Sequence, residues 1–222
     1  EVDRAREAAD PGEAGTLTRA AGDLAAALRA LPSASDLDTL RGFEGEAARG
    51  YFAALNLIIK HQARASFEMK GRTKRPPRDR FNALISFLYS MLMNDCRSAS
   101  EAVGLDPQLG YLHAVRPGRA ALALDLQEEF RSVLVDRFAL TLINRAQLNA
   151  KDFDEREGGA VMLNDQGRRL VVTAWQERKQ EEVIHPLLDS KVPLALLPFV
   201  QARLLARTLR GDIEGYLPYI AK

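Results

Sequence analysis

An all-α fold, interrupted by at most one small β-hairpin near 153–163, is predicted by three features of the sequence. Apolar residues recur at helical spacing through most of the chain, Pro, Gly and capping residues punctuate those runs, and no alternation of strand and helix suggests a parallel sheet. Neither an internal repeat nor a low-complexity tract is present. The expected organisation is a leader or linker remnant over 1–15, followed by one α-helical domain over 16–222.

Thr16 to Leu31 reads as the first helix: Leu17, Ala20, Ala21, Leu24, Leu28 and Leu31 keep the spacing, Thr16 or Thr18 is available as N-cap, and Pro32 ends the run. Asp36 caps a short turn through Leu37 and Leu40, which Gly42 and Gly45 are expected to interrupt around Phe43-Glu44. Ala47 to about Arg64 is an apolar helix predicted to be central to the core. Phe67 to Asp79 is a basic loop in which Pro76-Pro77 forbids helix. Asp79 then caps a helix from Arg80 to about Val103, bent near Asn94-Asp95 and closed by Gly104. A long helix is predicted from about Ala123 to Leu148, with Leu126, Phe130, Val133, Leu134 and Phe138 on one stripe. Phe153 to Leu163, turning at Gly158-Gly159, is the hairpin. Asn164 or Asp165 caps a helix reaching about Ile184, whose buried side carries Leu170, Val171, Ala174 and Trp175. After the breaks at Pro186, Pro193 and Pro198, Val200 to Leu209 is amphipathic and basic.

Composition narrows the function classes. The 222 residues carry a formal charge of +1, so polyanion binding has to come from local clusters. One exists: Lys70, Arg72, Lys74, Arg75, Arg78 and Arg80 crowd together with only Asp79 against them. A single cysteine, Cys96, excludes an internal disulfide framework and a thiolate zinc cage, and reads as a small buried residue in a reducing compartment. With no targeting segment and no membrane-spanning run, the expected location is cytoplasmic and no membrane is expected as a partner.

No Walker loop, dinucleotide fingerprint, nucleophile elbow or HExxH motif occurs. The remaining chemistry is oxygen-rich. On a helix, Asp125 and Glu128 share one face, with Glu129 nearer the apolar stripe. Such a pair is more often a solvated surface than a site. Combined with the imidazole of His113, which ends the run Gly110-Tyr111-Leu112-His113, it suits a hard divalent ion such as Mg²⁺ or Mn²⁺, which polarises a phosphodiester. His61 and His185 have no acid partner at a convincing spacing and read as structural or solvated. Tyr51, Tyr89 and Tyr111 are candidates for stacking on bases, although aromatics at helical spacing are more often core.

Four motifs carry a family likeness. Phe43-Glu44-Gly45-Glu46 through Phe52, Arg75-Pro76-Pro77-Arg78-Asp79 leading to Asn82 through Tyr89, Gly104-Leu105-Asp106-Pro107 to Gly110-Tyr111-Leu112-His113, and Asp125 through Arg131 resemble, in that order, the CRISPR-associated integrase of spacer acquisition, the family called Cas one. The resemblance implies that Glu44, His113 and Glu128 are catalytic and hold Mg²⁺ or Mn²⁺, with Asp125 as an auxiliary acid at the metal. Glu128 stands where the family often has an aspartate. Arg116 matches a position that is often basic and near the substrate phosphate, and Lys74, Arg75 and Arg78 join it as candidate DNA contacts.

The implied reaction is transesterification, in which a protospacer 3′-hydroxyl attacks a phosphodiester at the boundary of the leader and the CRISPR repeat; endonuclease activity uses the same centre. The implied partners are DNA, a small ferredoxin-like adaptation subunit called Cas two, and a second copy of the intact protein. The family's N-terminal β-rich domain is not in this chain, which therefore reads as the catalytic domain. The alternative reading is a non-catalytic helical module for nucleic-acid binding or assembly.

Overall fold

The computed structural model describes residues 11–221, and their contacts divide the chain into two compact units. One comprises residues up to Ser86 with Ala139–Arg168, the other Phe87–Phe138 with the residues from Arg169 on. Helices dominate both, and the described sheets are two antiparallel two-stranded hairpins.

In the first unit, helix α1 (Pro11–Ala30) packs on α2 (Leu37–Ile58). Leu17, Ala20 and Ala54 are buried at the contact, flanked by Ala21, Leu24, Tyr51 and Leu57. The helix starts at Pro11, ahead of the predicted Thr16; the rest of the expected leader lies outside the described residues. The stripe is buried only in its first half, since Leu28 is 68% exposed. Asp36 caps α2 by accepting the Thr39 N–H at 2.7 Å. The expected interruption at Gly42 and Gly45 does not occur, and α2 runs through both. A glycine costs a helix about 1 kcal/mol, and a long capped helix packed on its neighbour outweighs that.

The run predicted from Ala47 to Arg64 is instead broken after Ile58, and α3 (His61–Phe67) comes next. Asn144 satisfies the break from both sides: its Oδ1 accepts the Lys60 N–H at 2.9 Å and its Nδ2 donates to the Ile58 carbonyl at 3.2 Å. α2 is also less enclosed than expected, with only Phe52, Ala54 and Leu55 buried. Helix α4 (Arg80–Ala102) carries a fully enclosed stripe, with Phe81, Leu84, Ile85, Leu88 and Leu92 all 0% exposed.

Asp79 caps α4 as predicted, accepting the Asn82 N–H at 2.7 Å. Gly104, at φ +81°, closes it. The Leu105 N–H reaches the Ser100 carbonyl at 2.9 Å and the Gly104 N–H the Glu101 carbonyl at 3.1 Å, a Schellman ending that needs a left-handed residue at that point.

The long helix predicted from about Ala123 to Leu148 is three pieces. Helix α5 (Ala121–Glu128) ends at a turn, a π-helical turn spans Arg131–Asp136, and α6 (Arg137–Asn144) continues. Each residue added to a helical turn rotates the helix beyond it by about 100°. Val133 is accordingly only half-buried, and Val135 and Asp136 take interior positions.

The predicted hairpin forms from β1 (Phe153–Arg156) and β2 (Ala160–Leu163), with Phe153 opposite Leu163. Asn164 caps α7 (Asp165–Lys179) by accepting the Gly167 N–H at 2.9 Å. That helix stops short of Ile184. Glu182–His185 is strand β3, paired with β4 (Ser190–Pro193) in a second hairpin. Helix α8 (Leu197–Leu209) completes the second unit. No described helix is long and apolar enough to cross a membrane.

Candidate active site

His113 and Asp125 are brought together in the second unit, and the local chain explains how. Helix α5 has no side-chain cap; the Pro107 carbonyl accepts the Leu122 and Ala123 N–H groups at 2.9 and 3.3 Å instead. The loop then returns across the first turns of α5. Gly110 is required there, because a Cβ would lie 2.7 Å from the backbone carbon and the Cβ of Ala121 and 2.9 Å from Oδ2 of Asp125.

Having approached this closely, the loop hands its amides to one carboxylate. Asp125 Oδ2 accepts the N–H groups of Tyr111 (2.5 Å) and Leu112 (3.1 Å), and Oδ1 accepts the His113 N–H (2.9 Å) and its ring Nδ1 (2.7 Å). Burial alone pushes the Asp125 carboxyl up, but the bonds from the His113 ring and the three amides outweigh it and hold the group below its ordinary range. An ionised carboxylate only accepts, so the ring Nδ1 carries the proton it donates to Asp125. The four bonds fill the four lone-pair positions of Asp125. The acid expected as an auxiliary ligand is also the anchor of the histidine.

Glu128 lies one turn further along α5. Both its oxygens meet Nη1 of Arg131, at 2.7 and 2.6 Å. The π-helical turn sets that arginine: its guanidinium lies 4.6 Å from the centre of the Tyr89 ring, and the Tyr89 hydroxyl donates to the buried Asp136. Glu128 is thus aimed by a charged partner that itself is stacked.

Glu129, the next residue, faces inward. Tyr216 donates its hydroxyl to Oε1, and the Tyr219 N–H and Gln201 Nε2 donate to Oε2 at 2.7 and 2.9 Å. Burial raises this carboxyl above its ordinary value even against those three bonds. Burial likewise pushes the Cys96 thiol up, with the charges of Asp95 and Glu129 adding to it, so Cys96 is an inert core residue, as expected.

Glu44 belongs to the first unit, exposed in the middle of α2. A Cβ added at the neighbouring Gly45 meets nothing within 4 Å among the described residues. The donor chemistry of Glu44, His113 and Glu128 suits a hard divalent ion, and the oriented imidazole suits ligation. Among the described residues no three His, Cys, Asp or Glu side chains are grouped so as to hold a metal.

The basic loop is organised around Asn82, which is fully buried. Asn82 Oδ1 accepts from Arg72 at 2.7 Å and from the Thr73 N–H at 3.1 Å, and Nδ2 donates to the Gly71 carbonyl at 2.8 Å. Arg72 and Arg80 are drawn inward by such bonds, Arg80 donating to the Ser66 carbonyl at 3.1 Å. Arg78 donates to the Gly158 carbonyl in the β1–β2 turn. Lys70, Lys74, Arg75 and Arg78 are exposed. In the second unit, Arg116 is exposed on a turn closed by the Arg119 N–H to Arg116 carbonyl bond at 3.0 Å, with Gly118 at φ +74°.

Of the other histidines, His185 is buried and bonded to Gln201 at 3.1 Å, which is structural; His61 is exposed near Glu13. Sequence reasoning passed over Asn82, Glu129 and Arg131 as functional residues although all three lie in the family-like motifs. The partners of Asn82 lie in the irregular loop before it, those of Glu129 are remote in the chain, and the place of Arg131 is set by the π-helical turn, none of which motif spacing reveals.

With this geometry in place, comparison with known proteins is decisive for the family. Residues 2–177 match the family described as CRISPR associated protein Cas1. The chain belongs to the Cas1 family. CRISPR-associated endonuclease Cas1 1 of Moorella thermoacetica is 56% identical over 216 residues, covering 97% of this chain and 63% of that protein. CRISPR-associated endonuclease Cas1 of Leptospira interrogans is 45% identical over 218 residues, covering 98% and 85%. Among solved structures, a casposase bound to integration product aligns with TM-score 0.77 and 26% identity over 85% of this chain and 52% of its own. A chain of a Cas6-RT-Cas1–Cas2 complex aligns with TM-score 0.80 and 25% identity over 99% of this chain and 24% of its own. The Cas1 chain spans between 55% and 63% of the length of several curated relatives.

Proposed function

We propose that this chain is the helical catalytic part of a divalent-metal-dependent DNA integrase and endonuclease of CRISPR adaptation, acting in the cytoplasm. It joins protospacer 3′-hydroxyl ends to the CRISPR repeat by transesterification. The observation that carries the reading is the histidine anchored on a carboxylate inside the family's own motifs: Asp125 directs His113 through its ring Nδ1 and its backbone N–H and holds the loop before it through the Tyr111 and Leu112 amides, an investment that a merely solvated loop does not need.

Glu44, His113 and Glu128 are the residues that would hold Mg²⁺ or Mn²⁺. When bound, the ion neutralises charge at the phosphodiester and orients the attacking oxygen. Asp125 acts as a positioning residue that presents His113 Nε2. Arg131 pairs with the Glu128 carboxylate and points it. Lys74, Arg75, Arg78 and Arg116 supply cations for the phosphate backbone, which positions DNA without reading its sequence. The partners are protospacer and repeat DNA, a small ferredoxin-like adaptation subunit and, in the intact protein, a second copy. The Cas6-RT-Cas1–Cas2 complex and the casposase bound to integration product among its structural relatives support the first two of these partners.

A non-catalytic DNA-binding module is the rival, and the Glu128–Arg131 pair is the observation in its favour, since it leaves that acid already neutralised. Strand transfer on branched DNA with Mn²⁺ in the intact protein separates the two. EDTA and Glu128→Ala should each abolish transfer and leave DNA binding near wild type; metal-dependent transfer that survives Glu128→Ala would place the metal elsewhere.

A further inference from the structure

The acid next to Glu128 is the meeting point of four segments of the second unit. Glu129 stands at the end of α5 and receives bonds from Tyr216, Tyr219 and Gln201. Gln201, on α8, is fully buried. Its Nε2 lies within 2.9 Å of the Tyr216 hydroxyl and 3.1 Å of the Leu217 carbonyl, and its Oε1 faces His185 Nε2 at 3.1 Å. His185 Nδ1 accepts the N–H groups of Leu187 and Leu188, both at 3.3 Å, which leaves the ring proton on Nε2 to donate to Gln201. The Tyr219 ring closes the arrangement, 5.8 Å from Phe130 and 5.6 Å from His185 between ring centres.

Residues 215–220 form no regular helix or strand. They are held by side-chain chemistry, and that chemistry converges on the joint where α5 gives way to the π-helical turn. On one side of this joint is Glu128, on the other Arg131. A turn between two helical pieces has few backbone bonds of its own to resist rotation, so its direction depends on its anchors.

We propose that the segment Gly215–Ile220 is a strap that completes the catalytic unit, with Glu129, Gln201 and Tyr216 as positioning residues that hold the α5 joint and thereby aim Glu128. This rests on the reading of Glu128 as a functional acid. The polar atoms of the network answer one another: Glu129 accepts, Tyr216 and Tyr219 donate, and Gln201 does both. Loosening the strap leaves a buried carboxylate short of donors and frees the joint.

The test uses Tyr216→Phe, which removes only a hydroxyl, and Glu129→Gln, in the intact protein. Amide hydrogen exchange without metal should quicken about tenfold from Gln127 to Val133, the effect of losing one hydrogen bond to a charged group. The Mn²⁺ concentration for half-maximal strand transfer should rise about tenfold, with the maximal rate and DNA affinity within about twofold. Wild-type exchange in both variants overturns the strap. Faster exchange with an unchanged Mn²⁺ requirement also overturns it, because the network would then be structural only. Transfer that survives Glu128→Ala would instead defeat the reading of the site, and the exchange arm is independent of that outcome.

Discussion

At the scale of single residues, Asp125 is the group whose chemistry can be most directly interrogated. Asp125→Asn puts an amide where four donors converge and should cost about 2–3 kcal/mol in urea unfolding at pH 7, from lost hydrogen bonds to a charged acceptor. The pH dependence has a definite sign. The carboxyl is held below its ordinary value in the folded chain, so its contribution is complete above the unfolded value of about 3.9 and is lost as pH falls through the lower folded value. The gap between wild type and variant should therefore close in acid; a gap of constant size from pH 7 to pH 2 would refute this account. Gly110→Ala forces a methyl into Ala121 and the same carboxylate, and should cost about 1–3 kcal/mol in thermal unfolding. Combined with Asp125→Asn it should be less than additive, since both act on one contact. Sequence reading named both His113 and Asp125, but not the contact between them. A separation of twelve residues through an irregular loop carries no periodic signal, and only the folded loop shows that one serves the other.

Among the elements, the basic loop separates its own cations by their contacts. Arg75 is exposed, whereas Arg78 also bonds the Gly158 carbonyl across to the hairpin. Arg75→Ala should lower the salt slope of DNA binding by about 0.9 with stability unchanged within about 0.5 kcal/mol. Arg78→Ala should lower both the slope and the melting temperature. Equal slopes in wild type and Arg75→Ala would remove the loop from the DNA interface.

Local signals were most legible where a cap and a breaker bracket a run: Asp79 and Gly104 bound α4 as read, and Asn164 opens α7. They failed where one residue changes the phase. The π-helical turn after Phe130 keeps the apolar composition of a continuous helix while rotating its face, so a count of apolar positions does not detect it. Gly42 and Gly45 failed in the other direction, because glycine's cost in a helix is smaller than the packing that sustains α2. The β3–β4 hairpin was hidden behind the charged end of α7, where no alternating pattern marks a strand.

For the whole molecule, Glu44 lies in one compact unit and His113 and Glu128 in the other. If the three act as one metal-holding set, Glu44→Ala/Glu128→Ala should be little worse in strand transfer than either single variant, because groups that act together are not additive. Each variant should melt like wild type, as Glu44 is exposed and Glu128 is partly so. Losses that multiply would show that the two acids work independently.

The division into units was invisible beforehand for a plain reason. Each boundary, after Ser86, Phe138 and Arg168, falls inside a helix, so no linker composition marks it. By itself the sequence determined the helical class, the principal caps, the first hairpin and, through four ordered motifs, the family, all of which depend on residues within a few positions of one another. Only the tertiary structure decided that Asp125 serves His113, that Arg131 faces Glu128 across a π-helical turn, and that Glu129 turns away from the site to hold a segment some ninety positions on. Those choices are set by which polar groups remain after the apolar faces are buried, a sum over the folded unit that no local window contains.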